Sequence, residues 1–230
     1  MWSVPESTTD RTEWPESAPP PWPAEVRATL WWHRATAAAR ELGPEGAVLP
    51  VTLAMMVDYL DSPVGPYREI LASPVLRAPG RRSGPLPRMA VPFIAVDSEP
   101  SVHGGRVHWS LPKVLAAFDG DVHGVFEASS ASSASSGPSA SSSEGQWRVS
   151  TTAHPRGPRL PIAGALGFAQ PAESGGSLVT ASARLRGHFR YARVSVRAEG
   201  PTLADWLVAG THHGVVITDG RMTTGPAELR

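Results

Sequence analysis

Seven short apolar or alternating runs, each stopped by Gly, Pro, Asp or Ser, restrict this chain to a strand-dominated architecture: Val51–Tyr59, Met89–Val96, Arg106–Trp109, Gln146–Thr152, Leu178–Arg186, Phe189–Arg197 and Val215–Thr218. Runs this short between turn-forming residues favour strands over helices. The segment Arg186-Gly187-His188 lies between two of them and reads as a hairpin turn. Only two stretches read as helices: Thr36–Leu42, ended by Gly43-Pro44, and Pro112–Phe118, which starts with proline in the favourable first-turn position. No period of 20 to 50 residues recurs, which excludes a solenoid or propeller. The expectation is a mainly β domain with few helices, of sandwich, barrel or cone type.

Two low-complexity stretches frame the organisation. Residues 1–24 carry Pro5, Pro15, Pro19, Pro20, Pro21 and Pro23 among Ser, Thr and Glu, and predict a flexible arm. Its Trp2, Trp14 and Trp22 suggest that part of the arm lies on the body or on a neighbouring subunit. Residues 128–145, almost all Ser and Ala around one Gly-Pro, predict a mobile loop between two strands. The remainder, 25–230, is short enough to be a single domain.

Composition excludes several functional classes. The chain has no cysteine, which removes thiol nucleophiles, disulfides and cysteine-based metal centres. Its 230 residues carry zero formal net charge with arginines scattered throughout, so nucleic acid is not an expected partner. No secretory leader and no membrane-length apolar run is present, which predicts a cytoplasmic protein. The basic residues are 20 Arg and a single Lys, an imbalance that a GC-rich genome produces without any functional demand.

That lysine, Lys113, sits in Trp109-Ser110-Leu111-Pro112-Lys113-Val114-Leu115-Ala116-Ala117-Phe118, where its own ammonium is the sole formal charge. Burial there disfavours the charged form and is expected to lower the lysine pKa from its ordinary value of about 10.4. At about 10.4 roughly one amine in 2,500 is neutral at pH 7, whereas at about 6 some nine in ten are. A neutral amine adds to a ketone to give an imine, and the protonated imine accepts the electron pair released when a β-carboxylate leaves as carbon dioxide. Taken alone, a Pro-Lys at a helix start also fits a side chain that snorkels to solvent.

Three segments, in order, then bear on the choice. Gly105-Arg106-Val107-His108-Trp109-Ser110-Leu111-Pro112-Lys113 resembles the Gly-Arg…Pro-Lys signature of the acetoacetate decarboxylase-like family, with the lysine eight residues beyond the glycine. Upstream, Ser62-Pro63-Val64-Gly65-Pro66-Tyr67-Arg68-Glu69 resembles the family segment in which an aromatic, one residue and an acid face the Schiff base. Between them, residues 91–100 resemble the strand and turn leading into the signature. The resemblance implies a double-layered β-cone around an apolar cavity, oligomeric in relatives, acting on a small keto acid without metal or organic cofactor. It also implies roles: Lys113 as the imine-forming nucleophile, Glu69 as iminium stabiliser or proton carrier, and Arg106 as the residue that orients the signature loop or meets a substrate carboxylate.

The departures from the pattern are specific. Val114 stands where decarboxylases of the family carry a second lysine, and Ala54 where they carry a second acid. Arg27 lies near the position of the family's carboxylate-binding arginine without aligning cleanly. These losses leave three readings: a β-keto acid decarboxylase, a Schiff-base aldolase or dehydratase on pyruvate-like substrates, and a non-catalytic member that binds a small ligand. Metal binding is not expected, because His212-His213 and the pair His103 and His108 would each point to opposite faces of a strand. Asp58 and Asp61 would likewise face opposite ways and suit turn or surface positions, while Trp31 and Trp32 suit packing.

Overall fold

The computed structural model describes residues 4–7, 13–42, 48–79, 87–131, 146–172 and 177–230. In chain order the strands are β1 (Trp22–Arg34), β2 (Val48–Leu49), β3 (Val51–Asp61), β4 (Tyr67–Ser73), β5 (Leu76–Arg77), β6 (Arg88–Met89) and β7 (Phe93–Val96). They continue with β8 (Lys113–Gly120), β9 (Val125–Ser130), β10 (Arg148–Pro171), β11 (Leu178–Glu199), β12 (Gly210–Thr224) and β13 (Glu228–Leu229). The helices are α1 (Ala37–Glu41), α2 (Glu99–Trp109) and α3 (Leu203–Trp206), with a 3-10 turn at Pro5–Ser7.

All the described strands join one sheet, and nine close into a ring: β11-β12-β1-β3-β4-β7-β8-β9-β10, with β10 paired back to β11. Closure leaves none of the nine with an unpaired edge along the ring. One face of the ring carries an apolar cluster to which every one of these strands contributes, including Trp31, Met56, Ile70, Phe93, Val114, Phe126, Val149, Val194 and Val216. On the other face a second cluster gathers residues from β1, β3, β4, β7 and β12, α2, and the far ends of β10 and β11. The length of β10 and β11, 24 and 22 residues, is what lets one hairpin serve both layers. The mainly β, double-layered expectation therefore agrees with the structure.

Local expectations fared unevenly. Thr36 caps α1, its hydroxyl accepting from the Ala39 N–H at 3.0 Å, as the helix signal at 36–42 implies, while Gly43-Pro44 lies outside the described residues. The predicted helix Pro112–Phe118 is instead β8, and the predicted strand Arg106–Trp109 is the last turn of α2. The Val-Leu-Ala-Ala stretch suits a helix by propensity, but β8 lies between β7 and β9, with Val114 and Leu115 paired to β7 and Ala116 and Ala117 to β9. The expected hairpin at Arg186-Gly187-His188 is a bulge within the continuous β11, where the register against β12 shifts between His188 and Phe189. A Cβ at Gly187 would run into the Asp219 carbonyl, so glycine here serves strand-to-strand approach and not a turn. The run Met89–Val96 is broken at Ala90–Pro92 into β6 and β7.

The arm also differs from its expected form. Its boundary at residue 24 falls inside β1, because Trp22, Pro23 and Ala24 pair with Thr224, Thr223 and Met222. Val4 is buried in the first cluster, and Ser7 Oγ donates to the Pro92 carbonyl at 2.8 Å. The buried Glu6 carboxylate accepts from the Thr202 N–H at 2.6 Å, the Thr202 hydroxyl at 2.9 Å and the Leu203 N–H at 2.9 Å. Residues 4–7 are thus anchored despite their polar, proline-rich neighbourhood. Of the Ser-rich loop expected at 128–145, residues Ala128–Ser130 belong to β9, and 132–145 lie outside the described residues. Replacing Glu6 by Ala strands two N–H groups and a hydroxyl at the start of α3, and urea unfolding should register a loss of about 1–3 kcal/mol.

Candidate active site

Lys113 opens β8 immediately after the turn that leaves α2, and this turn sets its direction. Ser98 caps α2 through a bond from the Ser101 N–H, Pro100 sits in the first turn with Glu99, and Arg106 and His108 complement the last turn. The helix ends at Ser110, a non-glycine residue in the left-handed region at φ 52°. From there Leu111 N–H returns to the Gly105 carbonyl at 3.0 Å, and the chain enters β8 parallel to β7, Lys113 opposite Ile94. The lysine side chain lies across α2 at Gly105, where a Cβ would come closer than 3.0 Å to Cγ, Cδ and Cε of Lys113. Glycine inside a helix costs about 1 kcal/mol relative to alanine, and here it opens the track for the lysine stem.

The amine ends in a buried polar cluster. Lys113 is 3% exposed and Glu69 2% exposed, and Nζ lies 2.7 Å from Glu69 Oε2. Nζ also donates to Ser101 Oγ at 3.0 Å, and the buried Ser101 comes from the first turn of α2. The other carboxylate oxygen, Oε1, accepts from the Tyr59 hydroxyl at 3.2 Å. Tyr59 is the register partner of Tyr67 on adjacent β3 and β4; their rings stack 4.1 Å apart, and Nζ stands 5.4 Å from the Tyr67 ring centre. Burial first, and the Glu69 carboxylate second, push both phenols well above the ordinary tyrosine range, so both keep their protons.

Lys113, Glu69, Tyr59 and Tyr67 all line one cavity of about 100 Å³ beneath the second apolar cluster. Most of its wall is apolar, with Met55, Met89, Leu166, Phe168 and Met222 among the contributors. Trp22 from the arm and Trp109 from α2 meet edge to face at 4.9 Å and close one side. The arm is tied to α2 there: the His103 ring nitrogen bonds the Pro15 carbonyl at 2.7 Å, and His108 the Ala18 carbonyl at 3.1 Å.

The structure brings Lys113 and Glu69 together as the sequence implies, and puts Arg106 elsewhere. Arg106 Nε donates to the Lys113 carbonyl oxygen at 2.8 Å and its guanidinium stands 5.7 Å from the Trp14 ring, outside the cavity wall. It contacts the lysine's backbone and not the cavity. Arg27 is paired with Asp58 and does not line the cavity either. Ser101, Tyr59 and Trp22 carry no sequence signal that marks them as site residues. Tyr67 was legible as the aromatic two residues before Glu69, but its partner Tyr59 becomes visible only once β3 and β4 are in register.

No protein-family model matches the sequence, and no curated protein matches it either. Solved structures do. An acetoacetate decarboxylase superposes with a TM-score of 0.60 at 13% identity, covering 93% of this chain and 91% of that one. An acetoacetate decarboxylase-like enzyme from Sphingomonas wittichii RW1 gives 0.58 at 18% identity, covering 91% and 92%. The enduracididine biosynthesis enzyme MppR, complexed with the condensation product of pyruvate and imidazole 4-carboxaldehyde, gives 0.56 at 17% identity, covering 92% and 90%. The chain therefore has the acetoacetate decarboxylase-like fold.

A buried ion pair is held by compensation between its members. Lys113→Met or Glu69→Leu alone, each leaving one charge without its partner, should cost about 3–5 kcal/mol in chemical denaturation. The double replacement should come out close to neutral, and a double-mutant cycle measures the difference.

Proposed function

We infer that this protein is a Schiff-base enzyme, a carboxy-lyase acting on a small β-keto acid, with Lys113 as nucleophile and Glu69 as proton carrier. The observation that carries the reading is a lysine amine buried in an apolar cavity 2.7 Å from a carboxylate. Such a pair is a poor stabilising device, since the cost of desolvating both groups offsets most of their attraction. It is a good chemical one, because the carboxylate stands where it can take a proton from the amine and return it.

In the proposed cycle Nζ, its proton passed to Glu69, adds to the ketone carbon. The carbinolamine loses its oxygen as water, leaving a protonated imine. The bond to the β-carboxylate then breaks, its electron pair entering the C=N system as carbon dioxide departs. The resulting enamine takes a proton at carbon, and water hydrolyses the imine to release ketone and free lysine. Tyr59 and Ser101 hold Glu69 and Nζ in place through the cycle, and Arg106 acts as a positioning residue through the Lys113 carbonyl. The cycle calls on no metal or organic cofactor.

A second reading, aldol or dehydration chemistry on pyruvate-like substrates, draws support from the likeness to MppR and its bound condensation product. Among the described residues no helix is long and apolar enough to cross a membrane. A cytoplasmic location and a homo-oligomeric state belong to the proposal.

Incubation with acetoacetate followed by borohydride should add a stable mass to the peptide containing Lys113, and Lys113→Arg should abolish it. Glu69→Gln should slow carbon dioxide release by about 10²-fold or more, the scale of general acid–base catalysis. A chain left unmodified by a panel of keto acids would instead be a small-ligand binder.

A further inference from the structure

We propose that the Tyr67 hydroxyl is the acid that delivers a proton to carbon once carbon dioxide has left, a role separate from that of Glu69; this rests on the Schiff-base reading above. The proton that Glu69 takes from the amine departs with the water lost from the carbinolamine, so Glu69 is a carboxylate when the enamine forms. Protonation at carbon therefore needs a second acid beside the lysine.

The cluster singles out one hydroxyl. Tyr67 is buried and lines the cavity, and its ring centre stands 5.4 Å from Nζ, within reach of a carbon two bonds beyond that nitrogen. Its hydroxyl is in hydrogen-bond contact with Tyr59 and with Ser101, which accepts from Nζ at 3.0 Å. The Tyr59 proton is already given to Glu69 Oε1 at 3.2 Å. Ser101 carries an aliphatic hydroxyl, a far weaker acid than a phenol. Two further hydroxyls line the wall: Ser62 Oγ, donated to the Gly65 carbonyl, and that of Thr224, on β12 opposite Trp22. Neither is among the hydrogen-bond partners of Nζ, which are Glu69 and Ser101. Because burial and then the Glu69 carboxylate hold the Tyr67 phenol well above the ordinary tyrosine range, it carries its proton at the start of each turnover.

In this step the enamine pair forms a C–H bond with the phenolic proton, nitrogen regains its positive charge, and the phenolate arises beside that cation. Water then adds to the protonated imine and its proton returns to the phenolate. The carbinolamine breaks to ketone and neutral amine, and the amine takes from solution the one proton that decarboxylation of a β-keto acid consumes. Two exchange reactions of acetone, run with the full chain, separate this acid from the nucleophile. Carbonyl oxygen exchange in ¹⁸O-water needs only imine formation and hydrolysis, the work of Lys113 and Glu69. Methyl hydrogen exchange in deuterium oxide needs, in addition, transfer between carbon and Tyr67. Tyr67→Phe should slow hydrogen exchange by about 10²-fold or more, while oxygen exchange and borohydride labelling of Lys113 persist. If that variant does not fold, 3-fluorotyrosine at all three tyrosines takes its place, and the more acidic phenol should raise hydrogen exchange relative to oxygen exchange.

Hydrogen exchange retained in Tyr67→Phe, equal loss of both exchanges in the folded variant, or a ratio unmoved by fluorination would overturn the assignment and leave the Schiff base intact. So would wild-type protein that exchanges oxygen without hydrogen. Selective loss of hydrogen exchange in Tyr59→Phe or Thr224→Val, with Tyr67→Phe unaffected, would give the role to that other hydroxyl. Wild-type protein that exchanges neither atom and takes no borohydride label would remove the Schiff-base reading and this one with it.

Discussion

The burial of an ammonium and a carboxylate together, Lys113 against Glu69 at 2.7 Å, is the constraint around which this structure is arranged. Each charge alone would cost several kcal/mol to desolvate. Their arrangement is tolerated because Ser101 and Tyr59 supply the remaining hydrogen bonds. The pair and its two partners come from four separate places: β8, β4, the first turn of α2, and β3.

Much of the surrounding architecture follows from the need to hold that pair still. Closure of the nine-strand ring sets β4, β7 and β8 side by side, so Glu69 and Lys113 share one face two strands apart. The glycine at 105 yields helix stability to let the lysine stem pass, and Arg106 on the next position ties down the lysine's own carbonyl. The Trp22–Trp109 contact and the His103 and His108 bonds bring the arm onto α2, giving the cavity a wall from a segment whose composition argues for disorder. Local polarity was outweighed there by specific long-range contacts, the same reason Glu6 is buried.

The likeness to acetoacetate decarboxylases is one of shape at low identity. Val114 and Ala54 are buried in the first apolar cluster, on the opposite face of the ring from the amine. The residues that meet the amine are Glu69, Ser101 and the Tyr67 ring, and Met, Leu, Phe and Trp side chains line the same cavity.

The sequence by itself determined the β-rich class, through short runs between turn residues, and it drew attention to Lys113 as a lone lysine in an uncharged stretch and to Glu69 through the resemblance of the Tyr67–Glu69 segment to a known family. It misread the lysine's own element: Val-Leu-Ala-Ala suits a helix locally, and only pairing with β7 and β9 makes it a strand. It misread Gly187 for a similar reason, since a bulge and a turn call for the same residue and differ only in what lies across the sheet. Tertiary structure alone decided that Arg106 serves the backbone, that Tyr59 and Ser101 join the site and that Trp22 closes it. Each of these depends on strand register and on contacts between residues far apart in the chain, which local periodicity does not encode.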